Sequence, residues 1–293
     1  ETGNIYIKKY LDNSLVERID VNSDQVSGSG TNVITINPTN DLESNTKYYI
    51  QIDASAFDDR SSNSFPGIHD SSTLNFITAD LVPPILLSSY PIDDANSISI
   101  NSNIEITFSE NVDVQSGDIE IRKSSDNSLV ESIDVASSQV TGSGTNTITI
   151  NPTNDFESTT QYYIQIDSTA FDDGSSNSFG GISDETSLTF TTEDKEEPKL
   201  TNTTPFDDAT AVLINSKIEL TFSEAIHTDF GNIEIRKSSD KSLVESIDVK
   251  SSQVTGSGTN TITINPTNNF ESTTKYYIEV ESTAFDDTSG NSF

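Results

Sequence analysis

The chain has 293 residues, a formal charge of −32 from 47 acidic and 15 basic side chains, and no cysteine. Acidic residues at this density, spread along the whole length, exclude nucleic acid as a partner on electrostatic grounds. The missing thiols exclude disulfide staples, thiol catalysis and thiolate metal sites. No run approaches the ~18 apolar residues of a membrane span, so no membrane insertion is expected of this segment.

The segments GNIYIKK, GDIEIRK and GNIEIRK begin at Gly3, Gly117 and Gly231, 114 residues apart each time. A period of this length is the size of one autonomous domain rather than of a solenoid repeat. Three units follow: 1–82, without a counterpart of the segment 86–116; 83–196, the complete one; and 197–293, which stops before a counterpart of 180–192. The partial outer units suggest either a window on a longer array or ends completed by strand addition from neighbouring chains, which would make the chain a filament subunit.

Within the complete unit, strand signals alternate with turn signals and no helical period appears. Ile85 to Tyr90 reads as a first strand, followed by a polar turn over Pro91 to Asn96. Asn103 to Ser109 alternates, with Ile104, Ile106 and Phe108 on one face and Glu105 and Thr107 on the other. Asp118 to Lys123 and Leu129 to Val135 flank a loop of small polar residues and should form a hairpin. Thr145 to Ile150 points Ile148 and Ile150 inward. Gln161 to Asp167 points Tyr162, Ile164 and Ile166 inward and leaves Tyr49, Tyr163 and Tyr277 of the three units facing outward. Ser187 to Thr192 closes the unit. Seven or eight short strands, joined by segments too short for helical crossovers, define an all-β fold of tandem Ig-like Greek-key β-sandwiches with antiparallel sheets. Tyr48, Tyr162 and Tyr276 each follow a turn in the pattern of a tyrosine corner.

The run Pro-x-Asp-Asp-Ala, a strand ending Phe108-Ser109-Glu110, then Tyr-Tyr-Ile, Ala-Phe-Asp-Asp and Gly-Asn-Ser-Phe resembles the bacterial Ig-like domain of surface-layer protein SbsA. Similar repeats occur in large secreted adhesins and cyanobacterial surface proteins. The resemblance covers the whole repeat, and it implies an extracellular, cell-surface context.

One constellation could carry chemistry. The segment from Ala170 to Glu185 combines Asp172, Asp173, Asn177 and Asp184 with glycine and serine, oxygen ligands on pliable backbone of the kind Ca²⁺ takes. In an Ig-like sandwich this segment shares a pole with the end of the second strand and with the incoming linker. Glu110, Asp172, Asp173 and linker Asp80 should therefore converge at the first joint, and Glu224, Asp286, Asp287 and linker Asp194 at the second. Carboxylates so placed repel unless protonated or bridged by a cation. Pro83, Pro84 and Pro198 restrict bending as well. A further acidic pair, Asp93 and Asp94, with Asp207 and Asp208 as its counterpart, lies at the other pole.

No histidine here has a nucleophile partner, so no enzyme is indicated. His69 and His227 occupy non-equivalent positions and read as surface variation. The GSG of VTGSGTN lacks the Lys-Ser/Thr of a phosphate loop and reads as a turn. Gly117 to Phe179 and Gly231 to Phe293 differ at 10 of 63 positions, as suits a spacer whose length matters more than any one surface. The expected role is an extender in an adhesin or surface fibre, its partners being neighbouring repeats and other copies in a fibre. A carbohydrate- or surface-binding module that uses the outward tyrosines is the alternative.

Overall fold

The alternation in NIEITFS becomes the strand Ile104–Val114, in which Ile104, Ile106 and Phe108 are buried and Glu105 is exposed. The computed structural model describes residues 2–293 and arranges them as three β-sandwiches in series, with strands alone as regular elements among the described residues. In the second sandwich, one sheet orders Leu129–Asp134, Asp118–Lys123, Gln161–Ile166, Thr189–Thr192 and Ala95–Ile98. The other orders Val140–Thr141, Thr145–Ile150, Ile104–Val114 and Phe171–Asp173, and Leu86–Tyr90 also pairs with Ile104–Val114.

The third sandwich repeats this plan. Leu200–Thr204, Ile218–Thr228, Thr259–Ile264 and Val254–Thr255 form one sheet, joined by Phe285–Asp287, and Leu243–Asp248, Asn232–Lys237 and Tyr276–Val280 form the other. The first sandwich has a four-stranded sheet, Leu15–Asp20, Asn4–Lys9, Lys47–Ile52 and Asn75–Ile77, and a two-stranded one, Val26–Ser27 with Thr35–Ile36. Each sandwich has its own buried apolar cluster, and no cluster crosses a joint.

Three features differ from the sequence expectation. The second strand runs on to Val114, because it changes partners half-way: its first part pairs with Leu86–Tyr90, its last residues with Phe171–Asp173. Phe171–Asp173, expected as loop, is itself a strand. The polar segment after Pro91 contains the strand Ala95–Ile98, which pairs in parallel with Thr189–Thr192, so the sheets are not wholly antiparallel. A parallel pair needs a long crossover, and here the intervening body of the domain supplies it.

The tyrosine corners form in all three repeats. The hydroxyls of Tyr48, Tyr162 and Tyr276 accept the backbone N–H of Glu43 at 2.9 Å, Glu157 at 2.8 Å and Glu271 at 2.8 Å. Tyr162→Phe keeps the ring and strands that N–H, so it should cost about 1–2 kcal/mol. Urea denaturation should show a lower midpoint for the second repeat at unchanged slope, and an unshifted midpoint would contradict the assigned role. The GSG segment is a turn: Gly142 has φ of 104°, and a Cβ there would lie 2.1 Å from the Thr147 carbonyl oxygen.

Candidate metal centre at the joints

Glu110 sits where the strand Ile104–Val114 exchanges partners. Thr107 pairs with Thr147 and Val112 with Thr145, so the residues between leave the ladder on that side. On the other side the Ser109 N–H donates to the Ile85 carbonyl at 2.9 Å, and the Ile85 N–H donates to Ser109 Oγ at 3.1 Å. This lashes the incoming linker to the strand next to Glu110.

Asp173 ends its three-residue strand facing inward and is buried. Its Oδ1 accepts the N–H groups of Ser175 and Asn177, both at 2.8 Å, and its Oδ2 accepts Asn177 Nδ2 at 2.7 Å. The same Nδ2 donates to the main-chain carbonyl of Asp80 across the joint at 3.2 Å. Asp80 is held from the first repeat, accepting Asn45 Nδ2 at 2.9 Å and Ser44 Oγ at 3.2 Å.

These contacts bring carboxylate oxygens of Asp80, Glu110 and Asp173 within 4.8 Å of one another, and those of Asp194, Glu224 and Asp287 likewise at the second joint. Asp287 accepts from Ser289 and Asn291 in the same pattern, and Asn291 Nδ2 reaches the Asp194 carbonyl at 3.3 Å. Each cluster thus takes one acid from the linker and two from the repeat that follows. Among the described residues no lysine or arginine forms an ion pair with any of the six.

Electrostatics record the crowding. Burial pushes the Glu110 carboxyl up, and the charges of Asp173 and Asp80 push it further. Glu224 is raised by burial and then by Asp287 and Asp194. Burial also acts to raise Asp173, but the Asn177 side chain and the surrounding N–H groups outweigh it and leave that carboxyl below its ordinary range. Each joint therefore holds an aspartate kept low by donors beside a glutamate kept high by burial and by its neighbours' charge.

Other sequence candidates lie elsewhere. Asp172 and Asp286 alternate away from the clusters on their strands: Asp172 pairs in register with Asp113, and Asp286 pairs with His227 and accepts Ser292 Oγ at 2.8 Å. Asn177 is adjacent as a donor, and its counterpart Asn291, visible in the repeat but not singled out from sequence, has the same role. Asp184 fastens its own turn through Thr186 and Ser187. Asp93 accepts the Thr189 N–H at 2.9 Å and so pins the last strand. His69 and His227 are exposed, as expected.

Tyr49 and Tyr163, expected to face outward, are buried, and Tyr277 is half-buried. The Tyr49 ring packs edge-on against Tyr10 at 6.2 Å, and its hydroxyl donates to Asn13 Oδ1 at 3.1 Å. Tyr163 lies opposite Arg122 on the neighbouring strand. The Tyr49 and Tyr163 rings assumed for ligand stacking are therefore covered, and that of Tyr277 is covered in part.

Sequence reading also missed a network present in every repeat. Glu131 accepts Thr153 Oγ1 at 2.6 Å and Gln139 Nε2 at 2.9 Å, and Glu17 and Glu245 do the same with Thr39 and Gln25, and with Thr267 and Gln253. Identity of these residue types at 114-residue spacing was the available signal.

Sandwiches in series with an acidic cluster at each joint define the class as a tandem Ig-like array. The sequence profile of the bacterial Ig-like domain matches residues 3–78, 80–192 and 194–293, and the chain belongs to that family. Asp80 and Asp194 open the second and third matched segments. Among solved structures, the chain is similar to the N-terminal part of the bacterial S-layer protein SbsC at 14% identity and TM-score 0.25, over 67% of this chain and 43% of that one. It is similar to the BSP domain of a biofilm associated protein at 15% identity and TM-score 0.20, over 67% and 25%. It is also similar to extracellular domains 3–5 of Drosophila OTK at 8% identity and TM-score 0.24, over 96% and 85%. The chain thus spans less than half of the S-layer structure. No curated protein sequence matches it.

Proposed function

We propose that the chain is an extender segment of a bacterial cell-surface protein, with Ca²⁺ bound at its joints. The observation that carries the reading is the pair of clusters, Asp80 with Glu110 and Asp173, and Asp194 with Glu224 and Asp287, each drawn from both sides of a joint. Three hard oxygen donors without a neighbouring cation suit Ca²⁺, which accepts irregular all-oxygen coordination. The ion would offset the burial and the repulsion that raise Glu110 and Glu224 and would tie the linker to the following repeat. The near-identity of the second and third repeats supports a spacer role, and the reading assigns no reaction to the chain.

Calcium titration with calorimetry and small-angle scattering tests it. At a hundredfold excess over Kd, a site present only in the folded joint adds about 2.7 kcal/mol. That is a rise of roughly 10 °C in Tm or more for domains this small. Chelation should reverse the rise and shorten the maximum dimension as the joints bend. If neither quantity responds to calcium or EDTA, the joints bind no calcium.

A further inference from the structure

The two joints share a backbone plan but differ in what they show to solvent. At the first, Leu81 donates its N–H to Ser44 Oγ at 2.8 Å, and at the second Lys195 donates to Ser158 Oγ at 2.8 Å. Ile85 and Lys199 make the same bond to Ser109 Oγ and Ser223 Oγ. Leu81, Val82, Ile85 and Leu87 are nevertheless apolar and 55–73% exposed. Their counterparts 114 residues on are Lys195, Glu196, Lys199 and Thr201. The joint geometry therefore does not require apolar residues at these four positions.

Neither does a missing neighbour account for the exposure. The second joint follows a complete sandwich, and the side chains of Lys195, Glu196 and Lys199 are still 52–74% exposed there. These positions stand in solvent in the fully assembled repeat. In a chain of charge −32, an uncharged strip of four large aliphatic residues within seven positions is set apart from the surface around it.

We infer that this strip is a self-association surface, and that its occupant is the same strip on a second copy of the chain. It offers on the order of 450 Å² of apolar surface, within the range of the largest patch a typical monomer exposes. Two strips face to face bury about 900 Å² in total, the size of a weak specific contact. An isologous pairing needs only one patch per chain. The counterpart positions at the second joint are charged or polar, so a pairing through these strips alone closes as a dimer and does not propagate. Crossing at the joint also lets the acidic sandwiches diverge. Mutual repulsion makes the dimer tighten with salt, opposite to a contact held by ion pairs. The inference is independent of metal binding.

Sedimentation velocity on the whole chain, in EDTA at low and high salt, tests it. The wild type should show a monomer–dimer equilibrium with Kd between about 10 µM and 1 mM. The variant Leu81→Lys, Val82→Glu, Ile85→Lys and Leu87→Thr, whose residues the second joint already accommodates, should fold with unchanged Tm and dimerise at least about tenfold more weakly. The reciprocal variant, Lys195→Leu, Glu196→Val, Lys199→Ile and Thr201→Leu, should form species larger than dimers. A wild type that stays monomeric throughout this range, or a dimer insensitive to the first variant, overturns the inference. So does a monomer that instead binds neutral phosphatidylcholine vesicles through the strip, which would assign the surface to lipid.

Discussion

Replacing Phe108 by alanine should melt the second repeat well below its neighbours, at a cost of about 3–5 kcal/mol. The Phe108 ring is fully buried between Phe171, at 5.4 Å, and Phe179, at 5.1 Å, and its removal leaves a cavity bounded by aromatic faces. Because no apolar cluster spans a joint, the loss should stay within one sandwich. Calorimetry should show one transition moving by roughly 12 °C or more while the others hold their positions. The equivalent ring, Phe222, packs against Phe285 and against Phe293, which is only half-buried, so Phe222→Ala should cost less. A single transition that moved as a whole would show that the repeats fold as one unit.

The second large effect concerns pH. Glu110 and Glu224 are held above the ordinary 4.5, so their protonated forms are the ones the folded joints favour. Their contribution is fully present below 4.5 and is lost as pH rises through the raised folded value. Asp173 and Asp287 are held below 3.8 and act in the opposite sense: their contribution is present above 3.8 and is lost as pH falls through the lowered value. In EDTA, these groups should therefore let the second and third repeats gain stability as pH falls through the raised glutamate values towards 4.5, and lose it in stronger acid. The double variant Glu110→Gln and Glu224→Gln should be stabilised at pH 7 by about 1 kcal/mol per joint once solvent screening is allowed for. It should also lose the gain on acidification towards 4.5, and with it the calcium response. Identical pH profiles for variant and wild type would mean that the crowded carboxylates do not oppose the metal-free joint.

Much of this was legible in the sequence because the chain repeats. Alternation placed Ile104, Ile106 and Phe108 in the core, and the Tyr-Tyr-Ile pattern placed the tyrosine corners, since both depend on residues within one strand. The course of the chain beyond Glu110 was not legible. ENVDV carries polar residues at positions that a strand can keep in solvent, and its pairing with Phe171–Asp173 on one side and of Val112 with Thr145 on the other makes it a strand. The same blindness left Asp172 and Asp173 indistinguishable, because telling them apart requires knowing that FDD is extended and which of its faces is covered. The meeting of Asp80 with Glu110 followed from the poles of the fold. The grip of Asn177 on the Asp80 carbonyl did not, because an amide's choice between donor and ligand is set by its neighbours. Tyr163 misled because alternation says which side a residue faces and nothing about what lies over that side.

The parallel pairing of Ala95–Ile98 with Thr189–Thr192 has a mechanical consequence. Tension applied to the ends of the array enters each complete repeat ahead of the first of these strands and leaves it beyond the second. Parallel neighbours pulled in this way slide along their length, so their hydrogen bonds bear load together and must fail together rather than unzip one at a time. Resistance to such rupture is governed by the unfolding rate rather than by equilibrium stability. A repeat of modest thermal stability can on this account still be a strong link in a tethered chain.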